Sequence, residues 1–317
     1  MAAIEVRGAT KRYGDVTAVS DLDLTVEEGE VYGFLGPNGA GKSTTINMLL
    51  DLVRPTAGEV RVLGRDAHEE SVAIRELAGV LPEAFDIYDR LTGRQHLEFA
   101  VESKESRDDP DAILERVGLT GDGDRRAGDY SKGMRQRLAL GMALVGEPEL
   151  LILDEPSNGL DPNGAREMRE IVREENERGA TVFFSSHILG QVEAVCDRVG
   201  ILREGSLVAE DSVEGLRDAV GTESTLTITV DAVDDSTLED VRALSGVSRA
   251  EAEGTTVTVS CEDAAKTQVL GTLEEAGSSV VDFETREASL EDLFLAYTRD
   301  EDDDAPDESD GSEEVAT

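Results

Sequence analysis

Residues 36–44 read Gly36-Pro37-Asn38-Gly39-Ala40-Gly41-Lys42-Ser43-Thr44. They match the pattern Gly-x-x-x-x-Gly-Lys-Ser/Thr without a gap, and they lie between a strand-like apolar run at 31–35 and a helix-like segment at 43–52. Glycines let the backbone turn tightly with its N–H groups pointing inward, and the following helix N-terminus adds a positive dipole end. An ordinary glycine-rich turn is the alternative, but it needs neither the Lys-Ser pair nor the helix. The stretch therefore predicts a nucleotide phosphate site.

The side chains of this loop have separate predicted roles. Lys42 supplies a point charge for the outer phosphates, and the Ser43 hydroxyl is a ligand for Mg²⁺. The whole loop, Gly36 with Asn38 to Thr44, is predicted to bind the nucleotide. A phosphate loop alone fits kinases, GTPases and many motors, so other motifs must distinguish between these classes.

The composition limits the classes of partner. The 317 residues carry 30 Lys and Arg against 70 Asp and Glu, a formal net charge of -40, which argues against a nucleic-acid partner. Acidic excess with scarce Lys resembles proteins of salt-loving organisms, in which a Debye length of about 3 Å at molar salt screens self-repulsion. We predict that the protein loses structure in dilute buffer. The alternative is that the acidic surface only aids solubility.

Neither an export signal nor a membrane span is predicted. The N-terminal residues 3–6 read as a strand, and the longest apolar run, 138–145, is shorter than the roughly 20 residues that cross a bilayer. Cys196 and Cys261 lie far apart in the sequence and predict neither a disulfide framework nor a zinc site. We therefore expect a soluble, cytoplasmic chain.

Hydrophobic patterns predict an α/β fold. Antiparallel strands are expected at 4–7 and 18–26, together with the strand that enters the phosphate loop, and a mainly helical stretch follows. From residue 131 helices alternate with strands, which favours a parallel sheet covered by helices. The apolar run Leu150–Leu153 fits a strand buried on both faces. The predicted fold class is a P-loop NTPase domain, with a parallel sheet core, an antiparallel β subdomain and a helical subdomain, plus a small α+β C-terminal domain.

Three domain ranges follow from these patterns. The nucleotide-binding domain is predicted at 1–220, with its helical subdomain at about 84–145. An accessory domain at 221–299 shows the order βαββαβ, the ferredoxin-like arrangement, and closes with a helix at 289–298. Residues 300–317 contain ten acids and no base, and we expect them to be disordered.

Two carboxylates follow the buried strand that begins at Leu150. Asp154 is placed to hold the Mg²⁺ shell, and Glu155 is placed to orient the attacking water or to act as its base. The alternative is a strand that ends in solvated acids, which is less convincing downstream of a matched phosphate loop.

Between these motifs the chain reads Tyr130-Ser131-Lys132-Gly133-Met134-Arg135-Gln136-Arg137. This segment resembles the signature of ATP-binding-cassette (ABC) ATPases, Leu-Ser-Gly-Gly-Gln followed by a polar residue, Gln and Arg. The resemblance implies that Ser131 and Gly133 bind the γ-phosphate held by a second subunit, so that ATP is shared across a dimer; the helix N-terminus suits such an anion site. The chain departs from the signature at Tyr130, Lys132 and Met134. Lys132 either touches phosphate or is a solvated charge.

Further residues match the family at its spacing. Asp161, in Ser-Asn-Gly-Leu-Asp, resembles the D-loop residue that meets the partner's phosphate loop, and His187 resembles the switch histidine that contacts the γ-phosphate. Tyr13 resembles the aromatic residue that stacks on adenine; packing in a β core is its alternative. Glu83 stands where the family usually has Gln, and as a candidate metal ligand it keeps an oxygen but loses the amide donor. The candidate catalytic residues are Lys42, Glu155 and His187.

The resemblance covers residues 3–220, and the segment at 289–294 resembles the end of the accessory domain on ATPases of the ABC-2 exporter type. It implies an ATP- and Mg²⁺-dependent ATPase that dimerises, as a homodimer or with a second ATPase subunit, and drives a separate integral membrane permease from the inner face of the membrane. Export of a drug or other small molecule is the implied task. The alternatives are a soluble ABC ATPase that acts on ribosomes or DNA, and a nucleotide-binding regulator that barely hydrolyses.

Overall fold

The computed structural model describes residues 1–219 and 223–287. Its strands are β1 (Ala2–Tyr13), β2 (Val16–Glu27), β3 (Val31–Leu35), β4 (Ala57–Val62), β5 (Arg65–Asp66), β6 (Ala78–Leu81), β7 (Leu150–Asp154), β8 (Thr181–Ser186), β9 (Arg198–Arg203), β10 (Ser206–Ser212), β11 (Glu223–Val230), β12 (Val247–Glu253), β13 (Thr256–Glu262) and β14 (Val280–Glu287). Its helices are α1 (Lys42–Leu49), α2 (Ser71–Leu77), α3 (Gly93–Ser103), α4 (Pro110–Arg116), α5 (Lys132–Leu144), α6 (Pro162–Glu177), α7 (Leu189–Glu193), α8 (Val213–Ala219), α9 (Asp235–Arg242) and α10 (Lys266–Glu275). The predicted helix at 289–298 and the acidic segment at 300–317 lie outside the described residues.

A six-stranded sheet forms the centre of the N-terminal part, in the order β10-β9-β3-β8-β7-β6. Strands β6, β7, β8, β3 and β9 run parallel, and β10 is antiparallel to β9. Every residue of β3, β7 and β8 is buried, as two-sided burial of a parallel sheet requires. The α/β fold class predicted from the alternation of helices and strands is confirmed.

One strand was assigned to the wrong sheet. The sequence grouped β3 with the antiparallel strands before it, whereas β3 pairs in parallel with β8 and β9. The continuous burial of β3 explains its parallel pairing, since an antiparallel strand with one solvated face would alternate apolar and polar residues.

The antiparallel sheet has the order β2-β1-β4-β5. Strand β2 alternates as predicted, with Leu22, Leu24 and Val26 buried and the residues between them exposed. Its apolar face shares a core with α1 and with one face of the parallel sheet, to which Phe34 and Phe183 contribute. Strand β2 is thereby held next to the chain segment that follows β3.

Helices α3, α4 and α5 pack on one another within the long connection from β6 to β7, and β6 is an edge strand of the parallel sheet. Each helix has an N-cap side chain: Thr92 in a capping box with Gln95, Asp109 before Pro110, and Ser131. The helical character predicted for this stretch is therefore present, with all three helices inside the predicted range 84–145.

The C-terminal elements follow the order β11, α9, β12, β13, α10, β14, and their sheet has the antiparallel order β12-β13-β11-β14. Alternate residues of β11 and β13, such as Ile228 and Val259, form a core with Val241 of α9 and Val269 of α10. This order and topology are those of a ferredoxin-like α+β unit. Cys261 lies in this core, and Cys196, in the N-terminal part, is also buried.

Within residues 1–219 and 223–287, no helix combines the length and apolar character needed to span a bilayer.

Candidate nucleotide-binding and hydrolysis site

Loop 36–41 joins β3 to α1 and turns through conformations that favour glycine. Gly39 has φ +86° and Gly41 has φ +111°. A Cβ atom on Gly41 would lie 2.5 Å from the Ala18 carbonyl oxygen of β2, and one on Gly36 would lie 2.5 Å from the Leu202 carbonyl oxygen of β9. Neighbouring backbone thus leaves no space for a side chain at Gly36 or Gly41, and the left-handed conformation favours glycine at Gly39 and Gly41.

Lys42 is the first residue of α1 and is 6% exposed. Its Nζ atom donates to the Gly36 carbonyl at 2.6 Å and to the Pro37 carbonyl at 3.3 Å. The ammonium group also lies 3.4 Å from Glu155 Oε1. These contacts hold the charge of Lys42 inside the curve of the loop, where an anion bound by the loop would meet it.

Asp154 ends β7, and the chain turns sharply at the next residue. Glu155 has φ +50°, a left-handed conformation that is uncommon outside glycine and often occurs at functional sites. Its backbone N–H donates to the Ser185 carbonyl at 3.2 Å and to Ser185 Oγ at 3.1 Å. The Ser185 hydroxyl in turn donates to Asp154 Oδ1 at 2.5 Å. Ser185 of β8 thus holds the Asp154 carboxylate and the Glu155 backbone at once.

The Glu155 carboxylate is 5% exposed and lies between two basic side chains. His187, which follows β8, has its Nδ1 atom 2.8 Å from Glu155 Oε2. The other oxygen, Oε1, is buried and faces Lys42 at 3.4 Å, but no donor among the described residues hydrogen-bonds to it. Glu155 therefore has one oxygen fixed by His187 and one free to accept a proton or a hydrogen bond.

A cavity of about 250 Å³ joins these groups. It is lined by Ala18, Asn38, Gly39, Gly41, Lys42, Ser43, Thr44, Glu83 and Glu155. These groups suit a triphosphate with Mg²⁺. Backbone N–H groups of the loop and the Lys42 ammonium can bind the phosphate oxygens, and the Ser43 hydroxyl and the buried Glu155 Oε1 can act as an oxygen ligand or an acceptor.

The sheet explains why these residues meet. Strands β3, β8, β7 and β6 are neighbours in that order, and loop 36–41, His187, Asp154 with Glu155, and Glu83 each follow the carboxyl end of one of them. Ligands of such sheets bind at that edge. The four motifs are distant in sequence and adjacent in space.

Other candidates lie outside the wall of this cavity. Ser131, Gly133 and Asp161 do not line it in their own chain; Ser131 caps α5 by accepting from the Met134 N–H at 3.2 Å, and Asp161 caps α6 by accepting from the Gly164 N–H at 2.7 Å. The cavity is not lined by Asp154, Gly36 or Ala40 either. Of the predicted set, the structure thus brings together the loop, Glu83, Glu155 and His187, and leaves the signature and D-loop residues apart.

Tyr13 ends β1 and is 48% exposed, with Lys11 Nζ 5.0 Å from its ring centroid. The alternative that Tyr13 packs in a β core is therefore wrong. Tyr13 is paired with Val16 in the register of β1 and β2, two residues before Ala18 of the cavity wall.

Glu83 lines a second cavity as well, of about 380 Å³, which contains Lys132, Arg135 and Gln136 of α5 together with Asn158. Glu155 also lines both cavities. The two acids thus stand between the phosphate cavity and the N-terminal end of α5.

The sequence interpretation missed Ser185. It assigned the strand 181–185 a role only as the carrier of His187, yet Ser185 binds both Asp154 and the Glu155 backbone. A signal was available, because two successive serines, Ser185 and Ser186, are unusual at the end of an otherwise apolar buried strand.

Comparison with known proteins gives consistent results over both parts of the chain. A family model described as ABC transporter matches residues 19–158, and one described as ATP-binding protein DrrA1-3-like, C-terminal domain, matches residues 212–298. The daunorubicin resistance ATP-binding protein DrrA3 of Streptomyces coeruleorubidus is 35% identical over 305 residues, which cover 94% of this chain and 96% of that protein.

Two further matches concern the N-terminal part. The bacitracin transport ATP-binding protein BcrA of Bacillus licheniformis is 42% identical over 219 residues, 68% of this chain and 71% of the relative. A solved structure of an ATP binding subunit of an ABC transporter superposes with a TM-score of 0.62 at 29% identity, over 69% of this chain and 93% of that one.

Proposed function

The chain belongs to the ABC transporter ATP-binding family and is an ATP-hydrolysing subunit of such a transporter; from this premise we propose that two copies, or one copy and a second ATPase subunit, close over two ATP molecules and drive a separate integral membrane permease. The observation that carries this proposal is the position of Glu155, which lies between Lys42 and His187 at the wall of the phosphate cavity.

Within one chain, separate residues bind the phosphates and the metal ion. The backbone of loop 36–41 and the Lys42 ammonium hold the phosphates, with Ser43 and Thr44 at the start of α1. The Ser43 hydroxyl and the Asp154 carboxylate, with Glu83 at the rim, would hold Mg²⁺. Bound there, Mg²⁺ supplies positive charge that offsets the charge developing on the phosphates.

Glu155 is the proposed base. Its free, buried Oε1 can accept the proton of the attacking water, and the left-handed turn at Glu155 keeps the carboxylate at the end of β7. His187 holds the other oxygen at 2.8 Å, which limits the orientations of the carboxylate. We propose that His187 also contacts the γ-phosphate in this site.

The remaining candidates act between subunits. Ser131 and Gly133 lie at the N-terminus of α5, where a hydroxyl, a backbone N–H and the helix dipole favour an anion. Because neither lines the cavity of its own chain, we propose that they complete the site of the partner, and that Asp161 meets the partner's phosphate loop. Tyr13 stacks on adenine from the β1–β2 hairpin.

The proposed task is export of a drug or other small molecule. Relatives named for bacitracin transport and daunorubicin resistance support this cargo class. The chain acts as a cytoplasmic protein bound to the inner face of the membrane through its permease.

Replacing Ser185 tests the link that it forms between Asp154 and the Glu155 backbone. In Ser185→Ala, Asp154 loses its hydroxyl donor and the Glu155 N–H loses one acceptor, so we expect Mg²⁺ to support hydrolysis at about 10- to 100-fold higher concentration, the usual effect of removing a group that orients a metal ligand. Titration of ATPase rate with Mg²⁺ measures this. Ser186→Ala, on the same strand, is the control, and an unchanged Mg²⁺ requirement in Ser185→Ala would contradict the role.

Salt dependence tests the proposal that the protein works in a salt-rich cytoplasm. Only ten of the 70 acidic residues lie in 300–317, so residues 1–299 are themselves strongly acidic. At 1 M salt the Debye length is about 3 Å and repulsion is screened, whereas at 0.1 M it is about 10 Å. We expect far-UV circular dichroism to show loss of structure on dialysis from molar KCl into 50 mM salt. An unchanged spectrum would leave the acidic surface with a role in solubility only.

The transporter proposal is tested by affinity purification of the intact tagged chain from detergent-solubilised native membranes in high salt. We expect an integral membrane protein to co-purify, and ATP hydrolysis by the complex. Recovery with ribosomes or DNA instead would favour a soluble mechanical ATPase.

A further inference from the structure

Lys132 is the residue at which this chain departs most from the signature pattern, and its side chain has a defined place. It is the first residue of α5, directly between Ser131 and Gly133. A Cβ atom on Gly159 would lie 1.9 Å from Lys132 Nζ, 3.0 Å from Cε and 3.6 Å from Cδ. The outer half of the lysine side chain therefore lies along the backbone of the loop 157–161.

The loop itself is shaped for this contact. Gly159 has φ +69°, so its backbone adopts the left-handed conformation, and it has no side chain to displace the lysine. Leu160, the next residue, packs against the N-terminal end of α5, because a Cβ atom on Gly133 would lie 3.8 Å from Leu160 Cδ2. Lys132 and Leu160 thus join two segments that are separated by the whole of β7.

The contact does not satisfy the charge of Lys132. Within residues 1–219 and 223–287, its ammonium has no hydrogen-bond or ion-pair partner, and the side chain is exposed. The cavity that Lys132 lines also contains Arg135 and four acids, Glu83, Asp86, Asp89 and Glu155, so its carboxylates outnumber its basic side chains and favour a cation. The lysine is thereby kept over the loop without being tied to one acid.

We propose that Lys132 is a positioning residue that holds loop 157–161 against the N-terminus of α5, so that Ser131 and Asp161 of one chain reach the partner as a single unit. This inference rests on the proposed function, in which both residues act across the dimer. Contact of Lys132 with the partner's phosphate is the rival role, and the test separates the two.

The test is a double-mutant cycle of Lys132→Ala and Gly159→Ala in the full-length chain at high salt, read by steady-state ATPase rate. Gly159→Ala alone places a methyl group where the end of the flexible Lys132 side chain lies and so displaces the lysine from the loop, whereas removing Lys132 makes room for the methyl group. We expect the loss caused by Gly159→Ala to be about three- to tenfold smaller in the Lys132→Ala background, the range of coupling between touching residues. Gly64→Ala is the matched control, because Gly64 has φ +71° with no atom near its Cβ position; it should act independently of Lys132.

A second readout separates positioning from general damage. Lys132→Ala should leave ATP affinity of the isolated chain unchanged, because Lys42 and loop 36–41 are untouched, but should raise by about three- to tenfold the ATP concentration that drives dimer formation in a Glu155→Gln background. If Gly159→Ala does not fold, this measurement can still overturn the proposal, because positioning of the loop requires that Lys132→Ala reduce dimer formation. Unaltered dimer formation in Lys132→Ala would overturn the proposal. Additive effects of Lys132→Ala and Gly159→Ala on the ATPase rate would also overturn it, and, if dimer formation were reduced as well, Lys132 would be assigned to contact with the partner's phosphate. A wild-type chain that neither hydrolyses ATP nor dimerises with it would instead refute the proposed function.

Discussion

Glu155→Gln is expected to lower ATP hydrolysis by about 100- to 10,000-fold while ATP binding is retained, the range typical of removing a general base. The amide keeps the shape of the side chain and an oxygen that His187 can contact, but it cannot accept a proton at Oε1. Because binding depends on loop 36–41, bound ATP should accumulate and hold two chains together. Single-turnover hydrolysis, ATP-binding titration and light scattering with ATP measure the three effects.

The matched control is Glu170→Gln on α6, since Glu170 is 49% exposed and forms an exposed ion pair with Arg166. An exposed pair of this kind contributes little, so neither hydrolysis nor dimer formation should change. Turnover of Glu155→Gln close to that of the wild type would remove Glu155 from the role of base. Reduced turnover without ATP-stabilised dimers would retain the base but contradict the shared site.

Gly41→Ala is expected to weaken ATP binding by at least about 100-fold, which corresponds to ~2.8 kcal/mol. Two causes add. The residue has φ +111°, which a Cβ atom makes unfavourable, and that atom would lie 2.5 Å from the Ala18 carbonyl. Because the carbonyl belongs to β2, relief must come from loop 36–41, and its N–H groups then no longer converge. Equilibrium binding of a fluorescent ATP analogue measures the loss.

Gly179→Ala separates strain from collision. Gly179 has φ +107° but no atom within 4 Å of its Cβ position, and it lies in the turn between α6 and β8. We expect both substitutions to lower the melting temperature, and only Gly41→Ala to weaken ATP binding. Equal losses of affinity in the two variants would mean that the effect is one of general stability.

The sequence predicted those parts of the site in which a short motif sets its own geometry. Loop 36–44 and Asp154-Glu155 each depend on a few consecutive residues beside a buried strand, so their local conformation could be inferred without knowing their neighbours. The pairing of β3 could not, because sheet order is decided by contacts between distant segments. Ser185 was missed for the same reason: its role exists only because β7 and β8 are adjacent, with Asp154 opposite Ser185.

The hairpin of β9 and β10 was also missed, although its turn carries a recognisable pair. Glu204 and Gly205 have φ +47° and +82°, the conformations of a tight two-residue hairpin turn. For Lys132, by contrast, the sequence showed that the residue is unusual but could not decide its role. The sequence marked it as a departure and left two roles open, and only the position of Gly159, which the motif spacing does not reveal, suggested a third.

The attachment of the helical segment has a consequence for engineering. Helices α3 to α5 occupy the connection between β6 and β7, which are neighbours at the edge of the parallel sheet, whereas the strand that carries the phosphate loop lies inside it. Residues 84–145 thus form an insertion that begins after the edge strand β6 and returns at its neighbour β7. A chimera that takes this segment from a relative should keep the nucleotide affinity of the single chain, because loop 36–41 and Glu155 are retained, but it also exchanges Ser131 and Gly133, so the site that it contributes to its partner comes from the relative.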